Sequence, residues 1–456
     1  MATVGFLGHW YNRTLNRIWG FVEDRTGMRK LPFRPQPAFT FKPSYWTGAF
    51  VAIAFLYQVV SGALLLLYYQ PSTAPTLTAC GQTVGTYSVA PAAWCSTYYI
   101  INSVPMGSLL LSTHLYGAYA MIFLMFVHFF RGYYLGVYKA PREFSWMIGT
   151  LLMVMTLGMG FTGYLLPYTQ LSYNATNVGL VLAIRLPTFG PLLAPFILAD
   201  GTSQGLLSRM FDAHVVLIPL ALAGLLYAHI SLFESHGIAP PASSDPTQRR
   251  RFTEKEDEDH VPFIPHILFY MLKWGALYLG ILFGIAALWP WSLPTYVGNT
   301  AAVGVVTEPD WYFLWLFKFV DFAGVTPVLA VGVSTGILLY FLFLPFLDRS
   351  KRTHPRDRPL FIWAGTSLLE FFILMTVWGG ETPGVQITAQ TVALTLAPLF
   401  LVNAVVIVLF HWRYRTSYRR RLAARGSVYP GAYGTPAPTA SGSAPLATTP
   451  EAKGSE

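Results

Sequence analysis

Apolar residues in this chain gather into long runs, separated by short segments that are polar or basic. Eight runs stand out, at about 45–69, 108–134, 145–166, 212–234, 266–289, 325–347, 360–379 and 389–411. Each is about the 20 residues that the hydrocarbon core of a bilayer requires. In lipid the backbone must satisfy its own hydrogen bonds, so runs of this length predict helices. The expected fold class is an all-α integral membrane protein with about eight transmembrane helices. The basic residues alternate from loop to loop. Arg13, Arg17, Arg25, Arg29, Lys30, Arg34 and Lys42 precede the first run, Lys139 and Arg142 follow the second, Arg249–Arg251 follow the fourth, and Arg349–Arg358 follow the sixth. Residues 70–108 and 380–390 hold neither Lys nor Arg. Cationic loops stay in the cytoplasm, so both termini are expected there.

Composition strengthens this picture. Of 456 residues 54% are hydrophobic and 11% charged, where a soluble domain carries about 25% charged residues. The net charge of +9 comes from clusters between apolar runs, which argues against nucleic-acid binding. The opening MATVGFLGHWYNRTLNRIWG lacks the apolar core and cleavage site of a secretory signal. Residues 9–22 interleave Trp10, Leu15, Ile18, Trp19 and Val22 with Arg13, Asn16 and Arg17, which predicts a helix in the membrane interface. The expected divisions are 1–44, an N-terminal interfacial segment; 45–235, a four-helix bundle; 236–264, a polar linker; 265–412, four further helices; and 413–456, a disordered tail rich in Gly, Pro, Ala, Ser and Thr.

Candidate chemistry begins with histidine. Four of the ten lie inside predicted spans: His114 and His128 on the second, His214 and His229 on the fourth. Fourteen helical residues return to within about 40° of their starting direction and rise about 21 Å, whereas fifteen overshoot by about 60°. Each helix therefore offers two imidazoles near one face, one toward each leaflet. With the helices taken to run in opposite directions, His114 should level with His214 and His128 with His229. Two stacked bis-histidine sites of this kind suit iron porphyrins; the bland alternative is hydrogen-bonded polar residues within the bundle, or a proton relay. Glycines share the spacing: Gly48 and Gly62 on the first span, Gly149 and Gly163 on the third. They are expected to give a flat macrocycle edge a place without side chains, although small residues also serve ordinary helix packing. Cys80 and Cys95 form neither CxxC nor CxxCH, which argues against zinc, iron–sulfur or covalent haem sites.

Several segments resemble cytochrome b of the quinol:cytochrome c and plastoquinol:plastocyanin oxidoreductases. They are Gln58–Gly62, His128-Phe-Phe-Arg131-Gly132, Gly163-Tyr164-Leu165-Leu166-Pro167, Ser208–His214 and, most specifically, Pro309-Asp310-Trp311-Tyr312. The resemblance runs from about residue 43 to 412 and implies two b haems. His114 and His214 would hold the outer one and His128 and His229 the cytoplasmic one, with Gly48, Gln58, Gly62, Gly149 and Gly163 around them. Arg131 and Arg209 would pair with propionates, although interfacial snorkelling is the simpler role for an arginine. Quinol oxidation is implied near the outer face, at the loop of Pro309, Asp310, Trp311 and Tyr312. A quinol losing two electrons also loses two protons, so a carboxylate raised in pKa by burial is a sensible acceptor. Asp310 is that candidate, unless it is a plain turn residue after Pro309. The implied partners are a separate Rieske iron–sulfur protein, a c-type cytochrome and the quinone pool, in a homodimeric complex of the bacterial cytoplasmic membrane.

The chain also departs from the family pattern. Asp310 stands where Glu is usual, a form similar to that of members using low-potential quinones, so menaquinol is the expected substrate. Trp46 occupies the place of a haem-tethering cysteine, Leu111 that of an arginine and Tyr168 that of a tryptophan. Glu234 and His236 are the nearest candidates for the cytoplasmic quinone site. Cys80 and Cys95 share the first outer loop and are expected either to close it as a disulfide or to remain as two thiols; the oxidising side favours the bond. Two rivals stay in view, a haem b anchor for another dehydrogenase and a histidine-containing transporter without haem.

Overall fold

The computed structural model describes residues 35–37, 40–76, 80, 90–184, 201–242, 260–298 and 307–426, with the isolated positions 20, 190, 194 and 195. The expected interfacial helix at 9–22, most of the linker and the tail beyond 426 lie outside the described residues. Among the described residues eleven helices follow in order: α1 Thr47–Leu65, α2 Ala92–Asn102, α3 Gly107–Tyr134, α4 Glu143–Leu165, α5 Gln170–Ile184, α6 Ser203–His236, α7 Phe263–Leu288, α8 Trp311–Val320, α9 Pro327–Leu347, α10 Pro359–Glu381 and α11 Ala389–Gly426. Eight of them, α1, α3, α4, α6, α7, α9, α10 and α11, are long and apolar enough to cross a bilayer. The protein is therefore an all-α, multi-pass membrane protein. Residues such as Leu56, Leu220, Leu288 and Val402 point outward and exposed, as lipid-facing positions do. A second unit begins at Val408, and its described residues, to Gly426, are helical.

Two helix pairs carry the histidines: α1 packs along α3, and α4 along α6. A core of Ile122, Met125, Phe129, Trp146, Met153, Phe341 and Leu344 joins α3 and α4 to α9. Beyond the His128 end of α3, Asp348 accepts from buried Lys139 at 2.8 Å, Arg358 at 3.2 Å and Tyr138 at 2.6 Å. This cluster bridges the segment after α3 to the segment between α9 and α10. Removing one charge from such a group would strand the others in a dry site.

The fourth span begins at Ser203 rather than near 212, and one turn of it, Ala213–Leu217, is a π-helix. Thr202 caps its start by accepting from the Gly205 amide. Pro219 follows directly and has no N–H to give to the turn below, a common cause of local widening. The expected overshoot from fifteen-residue spacing is thereby corrected, because a wider turn absorbs one residue between His214 and His229. Three short helices, α2, α5 and α8, lie in what reads from sequence as loops. Cys80 and Cys95 are joined by a disulfide. Their loop packs against Leu293 and Tyr296, and Trp94 Nε1 donates to the Pro294 carbonyl at 2.8 Å.

Candidate functional site

The rings of His114 and His214 stand 6.4 Å apart, centroid to centroid, with planes 78° apart. His128 and His229 lie close enough to interact electrostatically. This pairing corrects the expectation of opposed helices. With one spanning helix between them, α3 and α6 run the same way, and a parallel run is what levels His114 with His214.

Each of the four glycines faces a histidine ring and leaves the space that the ring occupies. A Cβ added at Gly48 would lie 2.9 Å from His128 Cε1, and at Gly62 3.2 Å from His114 Cε1. At Gly149 it would lie 3.3 Å from His229 Cε1, and at Gly163 2.5 Å from His214 Cε1. The matched spacings, fourteen for both glycine pairs and for His114–His128 and fifteen through the π-turn for His214–His229, are one geometric fact: ring and gap on facing helices must repeat together.

The residue before the glycine supplies a second contact in three of the four cases. Ser61 Oγ meets His114 Nδ1 at 2.8 Å, Thr47 Oγ1 meets His128 Nδ1 at 3.0 Å, and Thr162 Oγ1 meets His214 Nδ1 at 3.3 Å. Ser61 and Thr162 already donate to helix carbonyls, so they accept from the ring. His214 Nδ1 also donates to the Met159 carbonyl at 3.0 Å. With Nδ1 carrying the proton, Nε2 keeps its lone pair, which is how partners behind a ligand fix its tautomer. His229 is the exception: Ile148 precedes Gly149, and the ring's Nδ1 meets only the Ser145 backbone, without a well-formed hydrogen bond.

These features fit a metal-centred planar cofactor. Between ring centroids 6.4 Å apart there is room for one ion bonded to two nitrogens at about 2 Å each. Arg131 lies with its guanidinium 4.8 Å from the Tyr45 ring, and its buried Nε has no hydrogen-bond partner. Gln58 is buried, with Nε2 unpartnered and packed where a Cβ at Gly117 would stand. Arg209 sits in the turn of α6 before the π-helix. His236 lies at the opposite end of α6; its Nδ1 donates to the Leu232 carbonyl at 2.8 Å, and its own carbonyl accepts from Arg142. Glu234 is on the same turn of α6. Trp46 is buried, donating from Nε1 to the Thr40 carbonyl.

At the His114 end, Asp310 precedes α8 at the N-cap position but does not cap it with its side chain. Its Oδ1 accepts from Tyr119 at 2.6 Å and its Oδ2 from Tyr312 at 2.8 Å. Gly160 gives the Tyr312 hydroxyl its space: a Cβ there would stand 2.5 Å from it. Tyr164 donates to the Glu308 carbonyl at 2.9 Å. Burial pushes the Asp310 carboxyl above the usual carboxylate range, and the two phenolic donors partly offset that rise. Asp310 and Tyr312 form one wall of a cavity of about 520 Å³ lined with Phe126, Phe129, Leu182 and Phe341, a size and character typical of sites for small apolar ligands. Pro309 also lines it, and Trp311 packs against Phe126. Sequence reading missed Tyr119, Gly160 and the hydroxyls at 47, 61 and 162. The Ser/Thr–Gly dipeptides at three of four glycines were the available signal.

Residues 119–295 match the family model described as cytochrome b (N-terminal)/b6/petB, and residues 298–400 the one described as cytochrome b (C-terminal)/b6/petD. The chain is 33% identical to the cytochrome b of Sulfolobus acidocaldarius, covering 87% of this chain and 71% of that protein. It is also 33% identical to the menaquinol:cytochrome c reductase cytochrome b subunit of Geobacillus thermodenitrificans, over 50% of this chain and 99% of that one. Among solved structures, a chain of a hyperthermophilic respiratory Complex III superposes with a TM-score of 0.63 at 25% identity, covering 86% of this chain and 96% of that one.

Proposed function

The chain belongs to the cytochrome b family, and we propose that it is the two-haem subunit of a respiratory bc complex that oxidises quinol. The observation that carries this reading is the fourfold repeat of a histidine ring seated against a glycine, in three cases with Nδ1 also held by a hydroxyl. Two b haems would sit between His114 and His214 and between His128 and His229. Bound there, haem b supplies reversible one-electron transfer at two depths of the bundle. Arg131 and Arg209 would balance propionate charge.

Basic loops at the opposite end give the His114 end an outward orientation, with both termini in the cytoplasm of a bacterium. Residues 45–235 would form the haem-binding part, and 265–412 would complete the quinol site. In the cavity beside Asp310, a quinol hydroxyl faces a carboxylate whose raised pKa suits it to accept a proton and release it outside. Tyr312 orients that carboxylate, while the apolar walls hold the ring and exclude water. A separate Rieske protein would take one electron and pass it to a c-type cytochrome. The cytoplasmic quinone site would lie near Glu234 and His236, and the complex would be a homodimer. Proton release on one side and uptake on the other would feed the proton-motive force. Asp310 in place of Glu, together with the name of the Geobacillus relative, supports menaquinol as the substrate.

The test is Asp310→Asn in the purified complex, with menadiol as donor. Loss of a positioned base should lower turnover by about 10²-fold or more, while the haem spectrum stays unchanged. Full turnover in the variant would overturn the role given to Asp310.

A further inference from the structure

Aspartate at an N-cap ordinarily turns its side chain back to the helix's first amides. Asp310 does not, and both its oxygens are taken by phenols instead. One phenol, Tyr312, is its near neighbour in sequence. The other, Tyr119, comes from α3, five residues beyond His114, and its hydroxyl has Asp310 as its acceptor at 2.6 Å. Tyr119 is absent from the cavity wall that Asp310 and Tyr312 help to form; it approaches the carboxylate from behind. The two tyrosine rings stand 6.4 Å apart, with the carboxylate between their hydroxyls.

We propose that Tyr119 is a positioning residue for quinol oxidation, holding the short side chain of Asp310 from the neighbouring helix so that its carboxylate stays at the cavity wall. The proposal rests on the reading of Asp310 as the proton acceptor. An aspartate reaches one methylene less far than a glutamate, so its usefulness depends more on where the backbone and its hydrogen bonds place it. Each carboxylate oxygen has two lone-pair sites, so the phenols can stay bonded while a substrate hydroxyl approaches a free one. The proton then passes from the quinol oxygen to an Asp310 oxygen, and the O–H bond of the quinol is the one broken. Tyr119 keeps its own proton throughout. Its donation also favours the ionised carboxylate, the form that can accept. The other titratable groups facing this point are Tyr312 on α8, Tyr164 on α4 and Glu308 on the same loop, with Tyr116 beside Tyr119.

Tyr119→Phe keeps the ring and removes only the donor. In the purified complex, haem reduction by menadiol should slow by on the order of ten-fold, the worth of one charge-assisted hydrogen bond. That loss should fall on kcat, with KM little changed. Without the donor the carboxyl holds its proton to higher pH, so the acidic limb of the rate profile should move up. In an Asp310→Asn background the same substitution should cost nothing further. Should Asp310→Asn slow the reaction while Tyr119→Phe leaves both kcat and the acidic limb unchanged, Tyr119 is mere packing and the proposal falls alone. Additive losses in the double variant would also overturn it, since Tyr119 would then not act through Asp310. Should Asp310→Asn itself be harmless, the underlying reading fails, and this proposal with it.

Discussion

Single residues decide how the imidazoles are held. The near-repeat of the histidines, fourteen apart on α3 and fifteen on α6, was legible because spacing is a one-dimensional signal that survives without coordinates. Their pairing was not fixed by it, since the opposed helices assumed for it would level His114 with His229. The reason for the glycines was not legible, since sequence gives the spacing of Gly48 and Gly62 but not what faces them. Gly163 is the tightest of the four, with an added Cβ 2.5 Å from His214 Cε1, against 3.3 Å at Gly149. Carbon atoms settle at about 3.5–4.0 Å. Gly163→Ala must therefore push the His214 ring by about an ångström, whereas Gly149→Ala needs only a few tenths. Absorbance spectra of purified variants should show the Gly163→Ala protein losing up to half its b haem and the Gly149→Ala protein retaining nearly all. Equal retention in both would mean that the close approach at Gly163 does not control the ligand. Tyr119 was illegible for a simpler reason: one tyrosine of 26 in a chain rich in aromatics carries no pattern.

At the scale of elements, apolar run length gave all eight spans to within a few residues, except at the start of α6 and at the end of α11. The last helix continues to Gly426 through the first part of the stretch expected to be disordered. At the start of α6 the polar stretch Ser203–Arg209 hides a helix whose buried contacts, Leu206, Leu207 and Met210, form a cluster with Leu165 and Tyr168. α2, α5 and α8 are hidden likewise, since they are short and owe their order to packing rather than to a membrane-length pattern. The π-turn before Pro219 makes the sharpest prediction. Deleting Val216 together with Pro219→Ala lets that turn close to a regular one, so His214 and His229 should keep their common face and their haems. Deleting Leu222 from the regular part of α6 instead rotates His229 about 100° relative to His214. Haem content per chain should separate the two, with near-normal retention in the first and loss of at least one haem in the second. Equal loss in both would contradict the role given to the wide turn.

Over the whole molecule, the proposed quinol site depends on the contacts between the histidine bundle and the later helices. At one end the link is Asp310, reached by Tyr119; at the other it is Asp348, held by Lys139 and Arg358. The disulfide loop adds a third link through Trp94 and Pro294. Sequence showed the charges and the cysteines but not these meetings, because residues some 200 positions apart in the chain leave no local trace of contact. The proposed function stands on two non-covalent haems held by the four half-buried histidines of this one chain. The most direct measurement is pyridine haemochrome on the purified protein after acid–acetone extraction, referred to protein mass. Two extractable b haems per chain are expected; one or none, or haem that resists extraction, would contradict the claim.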